Sequence, residues 1–154
     1  MLMTDFLDFD AIRHDLPGGN KRSLLNQLAQ IAAHRLNVDP GRIADAIAER
    51  ERLGSTGFGG GVAIPHGKLA GLERIYGLAA RLSQPIDYRA VDGEPVDLVF
   101  LLLSPPDAGA EHLKALAALS RMVRHAPTVE KLRGARSRDA LAAVLLGADE
   151  RDAA

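Results

Sequence analysis

The residue types that could perform chemistry are concentrated between Arg50 and Lys68, where the sequence reads RERLGSTGFGGGVAIPHGK. Arg50 and Arg52 carry guanidinium groups, which can bind phosphate oxygens through paired hydrogen bonds. The glycines let backbone amides approach an anion closely. His66, between a proline and a glycine after a short apolar run, offers an imidazole that can act as a nucleophile. Together these residues predict a phosphate-binding loop beside a nucleophilic histidine.

Two hydroxyl residues and the glycines complete the predicted phosphate site. Ser55 and Thr56 supply hydroxyl donors, and Gly61 ends the glycine-rich loop that begins at Gly54. The loop has neither the P-loop spacing nor a GxGxxG sequence at a strand–helix junction, so it is not a nucleotide-binding loop. A plain turn is an equally ordinary use of such a segment. Its interpretation as a phosphate site therefore depends on the arginines and the histidine.

Two of the five histidines are candidates for the site. A histidine at a strand end is ordinarily a polar surface residue, and this alternative remains open for His66. His112 lies in the first turn of a predicted helix, where the helix dipole disfavours the imidazolium form. It is either a structural residue or a neutral partner of the site, whereas His14, His34 and His125 are assigned to the surface. A zinc site on the two candidates lacks a third ligand at a suitable spacing, so we predict no metal and no cofactor.

The elements that must position these residues alternate between helices and strands, which predicts an α/β layer fold. Apolar residues at helical spacing, with cap and stop signals, predict helices over 24–36, from Pro40 towards Leu53, over about 109–124, through 132 after Pro127, and after a cap at Ser137. Short apolar runs predict strands over 62–64, 76–82 and 96–103, and 54–61 is predicted as a loop. In the 109–124 helix the inward residues are expected to be Leu113, Leu116, Ala117, Met122 and Val123. Residues after about 147 are expected to form a polar tail.

Composition restricts the class of protein further. A chain of 154 residues can bury one good core and is short for two ordinary domains, so residues 1–154 are expected to form a single domain. The absence of cysteine fits a reducing compartment. The net charge of -1 gives no electrostatic support for nucleic-acid binding. No signal peptide or membrane-spanning run is present, and we expect a cytoplasmic protein that is peripheral at most to a membrane.

The same segments resemble a known family. Arg50-Glu51, Gly54-Ser55-Thr56 and Ala63-Ile64-Pro65-His66-Gly67 are similar to the active-site segment of enzyme IIA proteins of the bacterial phosphotransferase system, fructose/mannitol type. The likeness continues through residues 96–105 and 111–116 and so covers nearly the whole chain. Residues 52–57 and 65–69 are most similar to the nitrogen-regulatory branch of this family.

The resemblance implies a fold and a function. It implies an α/β fold with a mixed five-stranded sheet and helices on both faces. It makes His66 the residue phosphorylated on Nε2, with Arg50 and His112 as its active-site neighbours. The implied donor is an HPr-type phosphohistidine protein, and the implied role is a phosphocarrier that regulates a kinase or a transporter rather than an enzyme that converts a metabolite. Two alternatives remain: a sugar-transport component that passes phosphate to a permease, and a binding module that is never phosphorylated.

Overall fold

The apolar run predicted as a buried strand forms the centre of a mixed sheet. The structure is a computed structural model that describes residues 1–153. Its strands are β1 (Arg13–Leu16), β2 (Gly57–Gly59), β3 (Val62–Ala63), β4 (His66–Lys68), β5 (Tyr76–Ile86) and β6 (Val96–Ser104). The spatial order is β1-β5-β6-β3-β2, and β4 also pairs with β6. β5 is antiparallel to β6, whereas β3 and β4 are parallel to it.

The sheet has six strands where five were expected, because one line of chain is split at Pro65. Val62 lies opposite Leu98 and His66 lies opposite Leu102, so the chain follows β6 in one unbroken register. Pro65 has no N–H group to donate to a ladder, which interrupts the strand between β3 and β4. The predicted strand therefore resumes at His66. A second difference is β2, which forms within the segment that was predicted as a loop.

The helices cover both faces of this sheet, as expected. They are α1 (Lys21–Leu36), α2 (Pro40–Glu51), α3 (Gly109–Arg124), α4 (Ala126–Gly134) and α5 (Arg138–Ala153), with short 3-10 turns at Met3–Asp5 and Phe9–Ala11. Leu28 and Ile43, from α1 and α2, share one core with Val99 of β6. Leu119 and Leu141, from α3 and α5, lie in a second core on the opposite face of the sheet. Within residues 1–153, no helix is long and apolar enough to cross a bilayer.

Side chains that accept hydrogen bonds begin three of the helices. Asn20 accepts from the amide of Ser23 at 2.8 Å at the start of α1. Asp39 accepts from the amide of Gly41 at 3.1 Å, directly before the proline that opens α2. Ser137 accepts from the amide of Ala140 at 3.0 Å before α5. The predicted caps at Asp39 and Ser137 are confirmed, although α2 ends at Glu51, two residues short of the expected end.

The expected polar tail after residue 147 is wrong, because α5 continues to Ala153. The buried carboxylate of Asp149 accepts hydrogen bonds from the amides of Met3 and Thr4, each at 2.8 Å. These amides begin the first 3-10 turn and have no partner within it. A polar residue is therefore part of the packed helix because it satisfies the backbone of the distant N-terminus.

The inward face of α3 also differs from the expected one. Leu113, expected to point inward, is 67% exposed, and Ala117 is exposed as well. Ala115 and Leu119 are buried instead, and Met122 and Val123 are buried as predicted. This rotation of the helix about its axis turns His112 towards the end of β6.

Candidate functional site

His66 opens β4 at the edge of the sheet, directly after Pro65. Its Nδ1 lies 2.9 Å from the carbonyl oxygen of Ile64. A carbonyl oxygen only accepts hydrogen bonds, so in the neutral imidazole Nδ1 carries the proton and donates it. The Nε2 atom is then left with the lone pair that a nucleophilic imidazole uses.

Arg50 approaches this lone pair from the last turn of α2. Its Nε donates to Nε2 of His66 at 3.2 Å, which agrees with the assigned tautomer. Its Nη1 donates to the carbonyl oxygen of Gly54 at 2.9 Å, which holds the guanidinium group against the loop after the helix. A cationic fork is thus fixed beside the nucleophilic nitrogen. Arg52, the other candidate, pairs instead with Glu49 on the exposed surface of the helix.

The close packing of α2 against β4 depends on a glycine. A Cβ atom at Gly67 would lie 3.0 Å from the carbonyl oxygen of Ala46 and 3.2 Å from its Cβ. Both distances are shorter than a comfortable van der Waals contact. Gly67 therefore allows the helix to lie against the strand and places Arg50, one helical turn after Ala46, beside His66.

His112 is the second imidazole of the site, in the first turn of α3. Its ring centroid lies 5.3 Å from that of His66, with the ring planes tilted by 53°. Its Nδ1 is hydrogen-bonded to Oγ of Ser104, the last residue of β6. The structure therefore brings together His66, Arg50 and His112 from three separate elements.

Both rings favour the neutral form. Burial lowers the pKa of His66 below its usual 6.5, and the charge of Arg50 lowers it further, against an opposing effect of the hydrogen bond to Ile64. Burial likewise lowers the pKa of His112, and the charges of His66 and Lys68 lower it further. A neutral imidazole keeps its lone pair near pH 7, so Nε2 of His66 can act as a nucleophile at that pH.

The hydroxyl of Thr56 is engaged in a polar cluster with Glu51, Tyr88 and Lys21. Its Oγ1 donates to the carboxylate of Glu51 and lies 2.9 Å from the hydroxyl oxygen of Tyr88. Lys21 pairs with the same carboxylate at 2.8 Å. Burial alone would raise the pKa of Glu51, but the hydrogen bonds from Lys21 and Thr56 lower it overall. This cluster holds the chain between α2 and β2 and uses the Thr56 hydroxyl for that purpose.

The other two predicted phosphate-binding residues differ in their positions. Ser55 is partly exposed, and its Oγ accepts from the amide of Gly57 at 3.1 Å. Its hydroxyl proton can still be donated outward. The carbonyl oxygen of Gly61 accepts a hydrogen bond from the amide of Asp97 in β6. His66 lies opposite Leu102, which is five residues further along the same strand. Five strand residues span roughly 16 Å, so Gly61 lies apart from the imidazole group.

Two groups of the site were missed in the sequence. The Ile64 carbonyl gives no signal, because every residue has one and only the fold selects which is used. Ser104 follows the predicted strand over 96–103 and was not among the predicted site residues, although it is fully buried and contacts His112. Within residues 1–153, no group of three or more histidine, aspartate or glutamate side chains is placed to hold a metal ion.

The fold and the site define a class of protein: a single α/β domain with a histidine-centred site at the edge of its sheet. Residues 5–147 match the family model described as "Phosphoenolpyruvate-dependent sugar phosphotransferase system, EIIA 2". The chain belongs to this family, and the resemblance seen in the sequence is confirmed.

Individual relatives point to one branch of the family. The chain is 47% identical over 145 residues to a nitrogen regulatory protein of Bradyrhizobium diazoefficiens, covering 94% of this chain and 95% of the relative. It is 36% identical over 130 residues to a fructose-specific EIIA component of Haloferax volcanii, with 84% of each chain covered. Among solved structures, nitrogen regulatory protein IIA-Ntr of Neisseria meningitidis matches with a TM-score of 0.87 and 33% identity, covering 93% of this chain and 98% of that one.

Proposed function

We propose that this protein is a phosphocarrier of the nitrogen-regulatory phosphotransferase system, which accepts a phosphoryl group on Nε2 of His66. One observation carries the assignment of the atom: the Nδ1 of His66 is bonded to the Ile64 carbonyl, while Nε2 has its lone pair directed at Arg50. The role in regulation is supported by the 47% identity to a protein of that name.

The transfer step needs no proton to move. The Nε2 lone pair of neutral His66 attacks the phosphorus of a phosphohistidine on the donor, in line with the donor's P–N bond. A new P–N bond forms as the old one breaks, and the donor's imidazole, which carries a proton on its other ring nitrogen, takes the electron pair and leaves as the neutral ring. Nδ1 of His66 keeps its proton on the Ile64 carbonyl throughout. Because one P–N bond replaces another, catalysis consists mainly of positioning and charge stabilisation.

The neighbouring groups stabilise the transferred phosphoryl. Arg50 is within reach of Nε2 and can exchange its hydrogen bond to that nitrogen for bonds to phosphoryl oxygens. Two parallel N–H groups suit this exchange, since a guanidinium binds two oxygens at once. His112 donates to the phosphoryl from the other side of the ring of His66, and Ser55 supplies a hydroxyl from the loop. Thr56 and Gly61 were predicted for the same task, but the contacts of Thr56 and the position of Gly61 favour Ser55.

The partners follow from this chemistry. The donor is an HPr-type phosphohistidine protein, and the exchange takes place in the cytoplasm between two small proteins that dock transiently. Phosphorylation adds close to two negative charges beside Arg50 and His112, so the two states present different surfaces. Regulated targets, such as a kinase or a transporter, distinguish these states.

A sugar-transport role is the second candidate. It is supported by the 36% identity to a fructose-specific component, which is lower than the identity to the nitrogen regulatory protein. A fructose or mannitol permease domain with its acceptor cysteine would be the phosphoryl acceptor in that case. Transfer from this protein to such a domain, at a rate matching a dedicated sugar component, would favour this alternative.

The first experiment locates the phosphoryl group. The wild-type protein is incubated with phosphoenolpyruvate, enzyme I and the HPr-type donor, and its intact mass is measured. We expect a gain of one phosphoryl group, lost in acid and stable in base, because a P–N bond hydrolyses once its nitrogen is protonated. His66→Ala should gain no mass, and His34→Ala, which removes an exposed imidazole from α1, should behave as the wild type.

The outcomes separate the function from the site. A wild-type protein that gains no mass would overturn the phosphocarrier function. A mass gain on His66→Ala would leave the function and move the site. An acid-stable, base-labile label would place the phosphoryl group on a hydroxyl such as that of Ser55 instead.

A further inference from the structure

Within residues 1–153, the only group that hydrogen-bonds to Nδ1 of His112 is Oγ of Ser104. The serine is the last residue of β6, directly opposite Lys68 of β4, and its exposed fraction is 0%. Its side chain therefore has no access to bulk water. The hydroxyl of Ser104 must therefore donate its hydrogen bond to another group of the protein.

Two arrangements of protons are compatible with this contact. In one, Nδ1–H of His112 donates to Oγ, and the serine hydroxyl must find a second acceptor. In the other, the serine O–H donates to Nδ1, and the ring proton lies on Nε2. Among the described residues, Oγ of Ser104 forms no other hydrogen bond. Only the second arrangement leaves the buried hydroxyl satisfied, and an unsatisfied one is costly.

We infer that Ser104 is a positioning residue that fixes His112 as the Nε2–H tautomer, so that this nitrogen donates a hydrogen bond to the phosphoryl group carried by His66. The inference rests on the proposed function of His66 as the acceptor. Nδ1 is held at the end of β6, so Nε2, across the ring, is the nitrogen available to a group on an imidazole centred 5.3 Å away. In the other tautomer, Nε2 of His112 would carry a lone pair instead of a proton, and this lone pair would repel the phosphoryl oxygens.

The tautomer can be measured without any phosphorylation. In ¹⁵N-labelled protein, the two ring nitrogens of His112 have chemical shifts that differ strongly between protonated and unprotonated forms. We expect an unprotonated Nδ1 and a protonated Nε2 in the wild type, and a mixture of the two tautomers in Ser104→Ala. A protonated Nδ1 in the wild type would overturn the inference.

The kinetic test uses a double-mutant cycle. Ser104→Ala should still be labelled on His66, but roughly two- to tenfold more slowly, the range that corresponds to losing one oriented hydrogen bond. In a His112→Ala background the same serine change should have no further effect, since Ser104 acts only through that ring. An equal slowing in both backgrounds would show that Ser104 acts by another route.

A matched control is available at the far end of α3. Thr128 forms the same kind of hydroxyl–histidine contact, with Nδ1 of His125 at 2.8 Å. His125 lies 13 residues from His112, roughly 20 Å along the helix. Thr128→Val should therefore leave the labelling rate unchanged, even if it lowers the free energy of unfolding. If the wild type is not labelled at all, the proposed function fails, whereas normal labelling of Ser104→Ala overturns only this inference.

Discussion

At the scale of single residues, the site depends on which nitrogen of each imidazole carries a proton. The Ile64 carbonyl holds the proton of His66 on Nδ1, and the Ser104 hydroxyl holds that of His112 on Nε2. One ring thus offers a lone pair and the other offers a donor, although the two residues are chemically identical. Arg50 adds a positive charge that, together with burial, favours the neutral form of His66. In the proposed transfer, this charge also attracts the phosphoryl group.

Arg50→Lys tests the planar fork. Lysine keeps the positive charge but cannot bind two phosphoryl oxygens with parallel N–H groups. We expect the transfer rate to fall about tenfold or more, which corresponds to about 1.4 kcal/mol in the barrier, with little change in stability. The matched control is Arg52→Lys, since Arg52 forms an exposed pair with Glu49. Equal losses in the two variants would mean that only overall charge matters.

The pH dependence tests the lowered pKa of His66. The neutral ring is the nucleophile and its pKa is lowered by burial, so the labelling rate should decline only at a pH below that at which an ordinary histidine becomes protonated. The free energy of unfolding should decrease as the pH falls through about 6.5, because the unfolded chain then binds a proton that the folded His66 does not. Arg50→Gln should raise the pKa of His66 by removing the neighbouring charge. An NMR titration of the ring measures this, and an unchanged pKa in the variant would exclude Arg50 as a cause.

At the scale of elements, the site lies where three layers meet. α2 brings Arg50 from one face of the sheet, α3 brings His112 from the other, and β4 carries His66 at the edge between them. The Ile64 carbonyl, two residues before His66, accepts the hydrogen bond from the imidazole ring and so holds it at the start of β4. The glycine that follows His66 then sets how closely α2 can lie.

Gly67→Ala should separate α2 from β4. The new Cβ would lie 3.0 Å from the carbonyl oxygen of Ala46, so the helix must move or the strand must bend. We expect a loss of about 1–3 kcal/mol in the free energy of unfolding, measured with urea, together with slower labelling because Arg50 moves with the helix. Gly147→Ala in α5 is the control: apart from its chain neighbours and the nearby backbone of its own helix, no described atom lies within 4 Å of the position of a new Cβ atom. Alanine there should be neutral or stabilising. Wild-type stability and rate in Gly67→Ala would exclude this glycine as the spacer.

At the scale of the whole molecule, the last helix and the N-terminus form one packed unit on the face that carries α3. Asp149 of α5 binds the amides of Met3 and Thr4, and Met3 and Leu145 belong to the same core as Leu119. This unit packs against α3 in the core and contributes no side chain to the site. The two ends of the chain therefore affect stability more directly than chemistry.

Asp149→Ala tests this division. It leaves the buried amide of Met3 without an acceptor, so we expect the free energy of unfolding to fall by about 1–3 kcal/mol. The labelling rate should match that of the wild type at temperatures where the variant is folded. Glu150→Ala, which removes an exposed carboxylate from the next position, should change neither quantity. A slower rate in folded Asp149→Ala would instead indicate that the terminal unit adjusts the position of α3.

The sequence by itself determined most of the helices, the two longest strands and the family. Caps at Asp39 and Ser137, and apolar residues at helical spacing, are local signals, so most helix positions could be predicted from neighbouring residues alone. The family followed because the segments around His66 and His112 are similar to those of enzyme IIA proteins, which the match over residues 5–147 confirms. The roles of His66, Arg50 and His112 that the likeness implies stay predictions, which the phosphorylation experiments test.

Only the tertiary structure decided which groups meet. The sequence suggested Ser55, Thr56 and Gly61 equally, but the Glu51 cluster occupies the hydroxyl of Thr56 and the register along β6 carries Gly61 away. The outward position of Leu113 and the contact of His112 with Ser104 depend on how α3 is rotated against the sheet. Rotation and register are set by the packing of residues far apart in the chain, and local patterns do not contain that information.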